Sequence, residues 1–422
     1  MLKQKAKTSQ AGLLIFLGWL TYMVSYFGKV NYSANITQII DFYGKSKAQV
    51  GIAPTFFFFA YGIGQVVNGL LCKKYNIKWM IFGSLMISAS VNFVIAVTTE
   101  FDIIKWLWML NGISLSVLWP TLIRMLSESL PRKQLGKSSI AMGTTVALGT
   151  LITYGFSSVY AAISQFKLSF YTAAFSVLAV AIVWLCIYNR AVAGAKAEQA
   201  AETVEEDVEV KPKEAGFDHR GALLLRATVV ALCFCAVGVN LIKDGLTTWV
   251  PSILKEEFSM SDSLSILLTL FLPVLAVFGN AFALRVHKKV PDYVNQAGLT
   301  FIVIGILVGA IIGFLEWKIT VAMLAGLIAA NFLVSTLNSM ITSIFPLFMR
   351  EKLNSGRTAG ILNGFCYLGS TISSYGLGVI ADQFGWTAVF WTLLGVCGAV
   401  CAVWCGYAFF KRFVQQKVKK VN

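Results

Sequence analysis

Charged side chains are scarce in this chain: Asp, Glu, Lys and Arg make up 13% of its 422 residues, against about 25% in an average soluble domain. Apolar residues make up 57%, and the mean hydropathy is +0.71. A water-soluble protein of this length cannot bury so much apolar surface. The shortage of charge therefore excludes a soluble globular domain and indicates a chain whose solvent is lipid.

The residues of common catalytic chemistry are also few. The two histidines, His219 and His287, lie at the ends of apolar runs. The sequence has no G-x-x-x-x-G-K-[ST] phosphate loop, which argues against ATP as an energy source. Its eight cysteines lie in or beside apolar runs and form no disulfide framework. We therefore expect no enzyme activity, no metal site and no cofactor.

The apolar residues fall into twelve runs, each about as long as the roughly 20 residues that cross a bilayer. Backbone polar groups have to pair with each other in hydrocarbon, so each run is predicted to be a helix. The predicted fold is an all-α integral membrane protein with twelve transmembrane helices. The runs are 11–40, 49–72, 77–98, 103–130, 136–164, 168–190, 221–254, 262–285, 293–314, 317–348, 356–381 and 385–410.

Lysine and arginine are divided unequally between the two sides of these runs. The side that carries the N-terminus has 27 of the 35, and the opposite side has six. The positive-inside rule then predicts a multi-pass protein of the plasma (inner) membrane with both termini in the cytoplasm. A basic cytoplasmic face explains the net charge of +15, so we expect the lipid bilayer, and no nucleic acid, as the partner of this charge.

The runs are grouped six and six around a polar segment. Residues 191–220 are Ala-rich and contain 8 of the 20 acidic residues, which predicts a cytoplasmic linker with little fixed structure. The linker separates an N-terminal six-helix half, 1–190, from a C-terminal six-helix half, 221–422.

The two halves repeat short pieces of sequence. "GK" at Gly136 is followed by "LGT", and "GR" at Gly356 is followed by "LGS", with the same internal spacing and 220 residues apart. Two pseudo-symmetric halves of six helices place a binding site between them, near the middle of the membrane.

Two lysines lie inside the runs, Lys29 in the first and Lys243 in the seventh, 214 residues apart. A lysine at the centre of a span costs about 2.5–3.5 kcal/mol on insertion scales. Because such lysines are costly, two of them at corresponding positions of the halves indicate a function, and we predict a positively charged site between the halves. Polar residues at helical spacing accompany the lysines and recur in the eleventh run: Tyr22, Tyr26 and Ser33; Asn240, Asp244 and Thr247; Asn363, Tyr367, Ser370 and Ser374.

A structural role for the lysines stays open at this point. Asp244 could neutralise Lys243, although neighbouring residues point about 100° apart on a helix, which disfavours a mutual ion pair. Asp244 could instead pair with Lys29 across the cavity. The polar faces could also simply hold helices together.

Several motifs resemble those of the organophosphate:phosphate antiporters, which include the glycerol-3-phosphate and hexose-phosphate exchangers of the major facilitator superfamily. "KDGLTTWVP", from Lys243 to Pro251, resembles their R-x-G-x-x-x-W-x-P signature, and "YFGKVN", from Tyr26 to Asn31, resembles their R-K-N segment. "LWPTLIR", "GRTAGILNGFCYLGS" and "ADQFGW" are similar to motifs of their fourth and eleventh helices. The resemblance covers nearly the whole chain outside the linker and implies the major facilitator fold.

The resemblance also implies site residues. Lys29 and Lys243 match the two arginines that clamp phosphate in that family. Gln65 stands in place of a lysine, Asn240 in place of a tyrosine, and Asp244 adds an acid. The predicted substrate-binding residues are Lys29, Lys243, Asp244, Tyr22, Tyr26, Tyr61, Gln65, Asn240, Asn363 and Tyr367.

These differences leave a predicted site charge of about +1, which suits a monoanion better than a dianion. We expect a monomeric secondary transporter that moves a small organic anion or phosphate ester by alternating access, in phosphate-linked antiport. One alternative is proton-coupled symport of an organic monoanion such as a sugar acid, with Asp244 or a lysine as the proton carrier. Another is a transporter-like sensor that binds its ligand without net flux.

Overall fold

The computed structural model describes residues 10–71, 76–203, 219–276, 278–349, 353 and 355–419, and these residues form helices and turns without a strand. Ten stretches among them are long and apolar enough to cross a membrane. Two further crossings complete the twelve. The longest stretch, Arg357–Gln416, turns at Gly385 and therefore counts as two crossings, the eleventh and the twelfth. The eighth crossing is made of three short helices, Asp262–Thr269, Phe271–Ala276 and Gly279–Lys289.

We call the helices before the linker the N half. They are α1 (Gln10–Ser25), α2 (Phe27–Ala34), α3 (Ile36–Tyr43), α4 (Lys47–Leu71), α5 (Ile77–Val97), α6 (Phe101–Ser116), α7 (Leu118–Ser129), α8 (Arg132–Ala162) and α9 (Lys167–Thr203). We call the helices after it the C half. They are α10 (His219–Phe258), α11 (Asp262–Thr269), α12 (Phe271–Ala276), α13 (Gly279–Lys289), α14 (Tyr293–Glu316), α15 (Thr320–Ser339), α16 (Phe345–Phe348) and α17 (Ser355–Lys419).

The first predicted span is not one helix, because it is interrupted at Tyr26 and again at Asn35. Interruptions free backbone groups that hydrocarbon cannot satisfy, so side chains have to pair with the backbone. The Asn111 amide donates to the Gly28 carbonyl at 2.6 Å, and the Asn35 amide donates to the Asn31 carbonyl at 2.7 Å. The buried asparagines therefore hold the short helix α2 in place.

The start of the predicted linker is ordered, which corrects the expectation of little fixed structure there. Helix α9 continues to Thr203, with Ala191 and Ala195 fully buried. The Glu198 carboxylate accepts from the Gln10 backbone amide at 2.6 Å and so caps the start of α1. Residues 204–218 lie outside the described part of the chain. The alanines that suggested disorder instead allow α9 to pack closely against its neighbours.

The outer face, by which we mean the face opposite the chain termini, is where the two halves are joined by charges. Helix α4 begins there, and the backbone amides of Lys47 and Ala48 donate to the Asp382 carboxylate of the C half at 3.1 and 2.7 Å. Lys47 also pairs with Glu256 at 3.0 Å, and Lys255 pairs with Asp41. An ionic layer thus closes the seam between the halves at the outer face.

Candidate substrate-binding site

Lys29 lies on α2, directly after the interruption at Tyr26. Its ammonium nitrogen is 4.0 Å from the centroid of the Tyr61 ring, 5.0 Å from that of Tyr26 and 5.5 Å from that of Tyr367. The Phe57 ring centroid lies 5.9 Å away. In the part of the chain that the structure describes, no carboxylate lies within 4.0 Å of this nitrogen. Lys29 is therefore a cation held by aromatic faces, and the acid that acts on it from a distance, Asp244, is in contact with Lys243 instead.

The aromatic residues around Lys29 come from both halves. Tyr61 on α4 and Tyr367 on α17 face each other across the interface, with ring centroids 4.7 Å apart. This approach needs a glycine next to Tyr61, because a Cβ at Gly62 would lie 2.7 Å from the Cβ of Tyr367. On the N half, Tyr22 contacts Tyr26 at a centroid distance of 5.5 Å. The cage formed by Tyr22, Tyr26, Phe57, Tyr61 and Tyr367 thus bridges the seam.

Lys243 is in a different electrostatic situation. Its nitrogen lies 3.3 Å from Oδ1 of Asp244, so the expectation that these neighbours would point too far apart is wrong. The four-carbon lysine side chain is flexible enough to turn back to the adjacent carboxylate. The other carboxylate oxygen accepts from Ser370 Oγ at 2.5 Å and from Asn240 Nδ2 at 3.3 Å. Of the two pairings that the sequence left open for Asp244, the structure has the one with Lys243.

The two lysine clusters adjoin on α17, where Tyr367 belongs to the first and Ser370, one turn later, belongs to the second. Gln65 and Asn363 lie one helical turn from Tyr61 and Tyr367, in both cases on the side nearer the termini. Gln65 is buried and Asn363 is half-buried. Of the ten predicted site residues, eight form the two clusters, while Gln65 and Asn363 continue the same helix faces toward the side of the termini.

Three aromatic residues beside these clusters were not among the predicted site residues. Phe57 stacks on Tyr61, Trp119 packs on Tyr22 with centroids 4.8 Å apart, and Tyr154 donates to the Thr247 carbonyl at 3.0 Å. Phe57 belongs to the run "TFFFF", where periodicity cannot single out one ring. Trp119 lies in "LWPTLIR", so its motif was the signal that could have identified it.

The path from the site to the outer face is sealed by polar contacts between the halves. Thr55 on α4 donates to the Thr371 carbonyl on α17 at 3.2 Å, and the hydroxyls of Ser158 on α8 and Ser263 on α11 are 3.1 Å apart. The Thr55–Thr371 contact lies between the site and Asp382, and the Ser158–Ser263 contact lies next to Asp262, which pairs with Lys255 in the ionic layer. Among the described residues, no group of three or more His, Cys, Asp or Glu is arranged to hold a metal ion.

Comparison with known proteins identifies relatives along most of the chain. The human Sugar phosphate exchanger 3 is 21% identical over 390 residues, which cover 82% of this chain and 77% of that protein. The Probable hexose phosphate transport protein of Chlamydia pneumoniae is 20% identical over 415 residues, covering 92% and 88%.

The fold is shared with a solved transporter. The crystal structure of a bacterial homolog to the human lysosomal transporter Spinster, in an inward-facing and occupied conformation, matches with a TM-score of 0.72 at 13% identity. The match covers 97% of this chain and 98% of that one. A profile described as Major Facilitator Superfamily matches residues 18–355. With its twelve-helix architecture, this chain therefore belongs to the Major Facilitator Superfamily and is a multi-pass membrane transporter rather than an enzyme.

Proposed function

We propose that this protein is a secondary transporter that moves a small organic anion, a phosphate ester or a related acid, by alternating access and in exchange for phosphate. We propose that it acts as a monomer in the plasma (inner) membrane, with both termini in the cytoplasm. The ten predicted site residues are proposed to bind the substrate. The observation that carries the proposal is the Lys29 ammonium, which lies between the two halves on aromatic rings, with no described carboxylate in direct contact.

A buried cation without a counter-ion is unfavourable unless something at hand neutralises it. An anion bound beside Lys29 would do so, and tyrosine hydroxyls of the cage can donate hydrogen bonds to its oxygens. The faces of Tyr61 and Tyr367 offer apolar surface to a carbon skeleton. The names of the human and chlamydial relatives, a sugar phosphate exchanger and a hexose phosphate transport protein, support the phosphate-ester class.

Alternating access is supported by the seal on one side of the site. The ion pairs and hydrogen bonds at the outer face close that route, and the fold resembles a transporter solved in an inward-facing conformation. The excess of Lys and Arg on the side of the termini supports that side as the cytoplasm. We therefore propose that the structure corresponds to a state that opens toward the cytoplasm.

Transport by the purified full-length protein in liposomes tests this proposal. Liposomes loaded with phosphate are expected to take up labelled glycerol 3-phosphate or glucose 6-phosphate, and liposomes without phosphate are not, because exchange needs a counter-substrate. The Lys29→Gln protein, checked for folding by its elution as a single species, is the control and should not exchange. Equal uptake with and without internal phosphate would contradict antiport.

Proton-coupled uptake of an organic monoanion is the second candidate, favoured by the ion pair of Lys243 and Asp244 beside the site. Ionisable residues inside membrane transporters commonly form proton relays. Under this candidate, an imposed pH gradient should drive uptake of a sugar acid such as gluconate into empty liposomes. Asp244→Asn should abolish that uptake. If the pH gradient drives no uptake into liposomes with the unchanged protein, this candidate is excluded.

A further inference from the structure

We infer that Asp244 is a selectivity residue, which restricts this site to the singly charged form of its anion. The inference rests on the proposed function, since it concerns the charge of the anion that is bound. The resemblance to the phosphate exchangers does not supply it, because an acid at this position departs from the pattern of that family.

The first observation is that the Asp244 carboxylate is fixed in place. It bridges two helices of the C half: its own helix α10 supplies Lys243 and Asn240, and α17 supplies the Ser370 hydroxyl. Ser370 and Asn240 are also 3.2 Å from each other. A carboxylate held by three partners cannot readily turn away when an anion approaches, so its charge acts on the ligand from a constant position.

The second observation is the charge balance around that carboxylate. The charged and titratable groups that act on Asp244 are Lys243 on its own helix, Lys29 on α2, Tyr154 on α8, and Cys366 and Tyr367 on α17. Only the two lysines are cationic. One of them pairs with Asp244, which leaves a single positive charge, that of Lys29, for the ligand.

A monoanion and a dianion should therefore bind differently. A single negative charge neutralises Lys29, while a second one is added next to a fixed carboxylate in surroundings where charges interact strongly. The second proton of a phosphate monoester dissociates near pH 6, so most of the ester is a dianion at neutral pH. The site is then expected to bind the minor, singly protonated form of such an ester, or any organic acid of one charge.

Ligand binding at two pH values tests the inference on the full-length protein in detergent. The probes are glycerol 3-phosphate, whose charge changes with pH, and its methyl diester, which carries one charge throughout. From about pH 7.5 to about pH 5.5 the apparent affinity for glycerol 3-phosphate should rise roughly twentyfold, because the fraction of monoanion rises by that factor. The affinity for the diester should change much less, and it reports any titration of the protein itself.

A set of variants then changes the site charge one unit at a time. Asp244→Asn raises the charge and should improve binding of glycerol 3-phosphate at about pH 7.5 by roughly ten- to a hundredfold relative to the diester. The double variant Lys243→Gln/Asp244→Asn restores the wild-type net charge without the carboxylate, so its gain for glycerol 3-phosphate relative to the diester should be smaller than that of Asp244→Asn. Asp102→Asn, which removes an exposed carboxylate at the start of α6, is the matched control. It should change neither the pH dependence of glycerol 3-phosphate binding nor the affinity for glycerol 3-phosphate relative to the diester.

The outcomes separate the inference from the proposed function. If the wild type binds glycerol 3-phosphate equally well at both pH values, or if Asp244→Asn leaves the ratio of the two affinities unchanged, Asp244 is not a selectivity residue, although exchange can still occur. If the single variant does not fold, the wild-type measurement still decides, because equal affinity for glycerol 3-phosphate at the two pH values overturns the inference by itself. If the wild type neither binds the probes nor exchanges phosphate, the proposed function itself fails.

Discussion

At the scale of single residues, two lysines at corresponding positions of the halves have different surroundings. Lys29 is surrounded by aromatic rings, and Lys243 is paired with the carboxylate next to it. Replacing either by glutamine removes one positive charge from the site, but only the loss of Lys243 leaves a carboxylate without its ionic partner. The two substitutions should therefore differ in their effect on the ligand-free protein.

Lys29→Gln is expected to abolish anion binding while the thermal unfolding temperature of the ligand-free protein stays the same or rises. Lys243→Gln is expected to lower that temperature, because breaking a partly buried ion pair strands Asp244 at a cost of roughly 1–3 kcal/mol. The double variant Lys243→Gln/Asp244→Asn should restore the temperature. Unfolding in detergent without ligand measures all three, and an equal loss of stability in both single variants would contradict the distinction.

At the scale of the helices, an unusual feature is that the start of α4 is capped by the other half of the molecule. Free backbone amides at a helix start favour an acceptor and a negative charge. Here Asp382 of α17 supplies both to Lys47 and Ala48. The cap exists only while the outer face is closed, so separation of the halves has to break it.

Asp382→Asn should therefore destabilise the closed outer face. Loss of a cap costs about 1 kcal/mol, which corresponds to a change of roughly fivefold in the population of the open form. Thr55→Cys, placed below the ionic layer, reports that population through its rate of labelling by a membrane-impermeant thiol reagent. The rate should rise in Asp382→Asn and stay constant in Asp102→Asn. An unchanged labelling rate in both variants would show that Asp382 does not hold the outer face closed.

At the scale of the whole molecule, the halves meet along α4 with α17 and along α8 with α11 and α12, and α10 also contacts α2 and α3. Transport by alternating access requires them to separate at the outer face. Ser158 and Ser263 face each other across the contact between α8 and α11, with hydroxyl oxygens 3.1 Å apart. Cysteines at these two positions are close enough to form a disulfide.

The variant Ser158→Cys/Ser263→Cys is expected to crosslink under mild oxidation and to lose exchange in liposomes, because the outer face can then no longer open. A reducing agent should restore exchange to the rate of the two single cysteine variants, which are the controls for the added thiols. If the crosslinked protein transports at the same rate as the reduced protein, this seam does not separate during the cycle.

The sequence alone determined the class of the molecule. Hydropathy and the need to satisfy backbone groups in lipid act along each segment, so the twelve membrane crossings followed from local pattern, and the motifs around Lys243 and Tyr26 indicated the family. The repeat of Lys29 and Lys243 likewise indicated where two charges lie. The relation of the two halves by a parallel repeat stays a prediction of the sequence.

The tertiary structure decided how those charges are arranged. The sequence left open whether Asp244 pairs with Lys243 or Lys29, since the answer depends on side-chain reach and on Ser370, which is 126 residues away. The interruptions of the first span, the ordered end of α9 and the cap from Asp382 were also undetermined. Each depends on a partner distant in the chain, and hydrophobic periodicity carries no information about such partners.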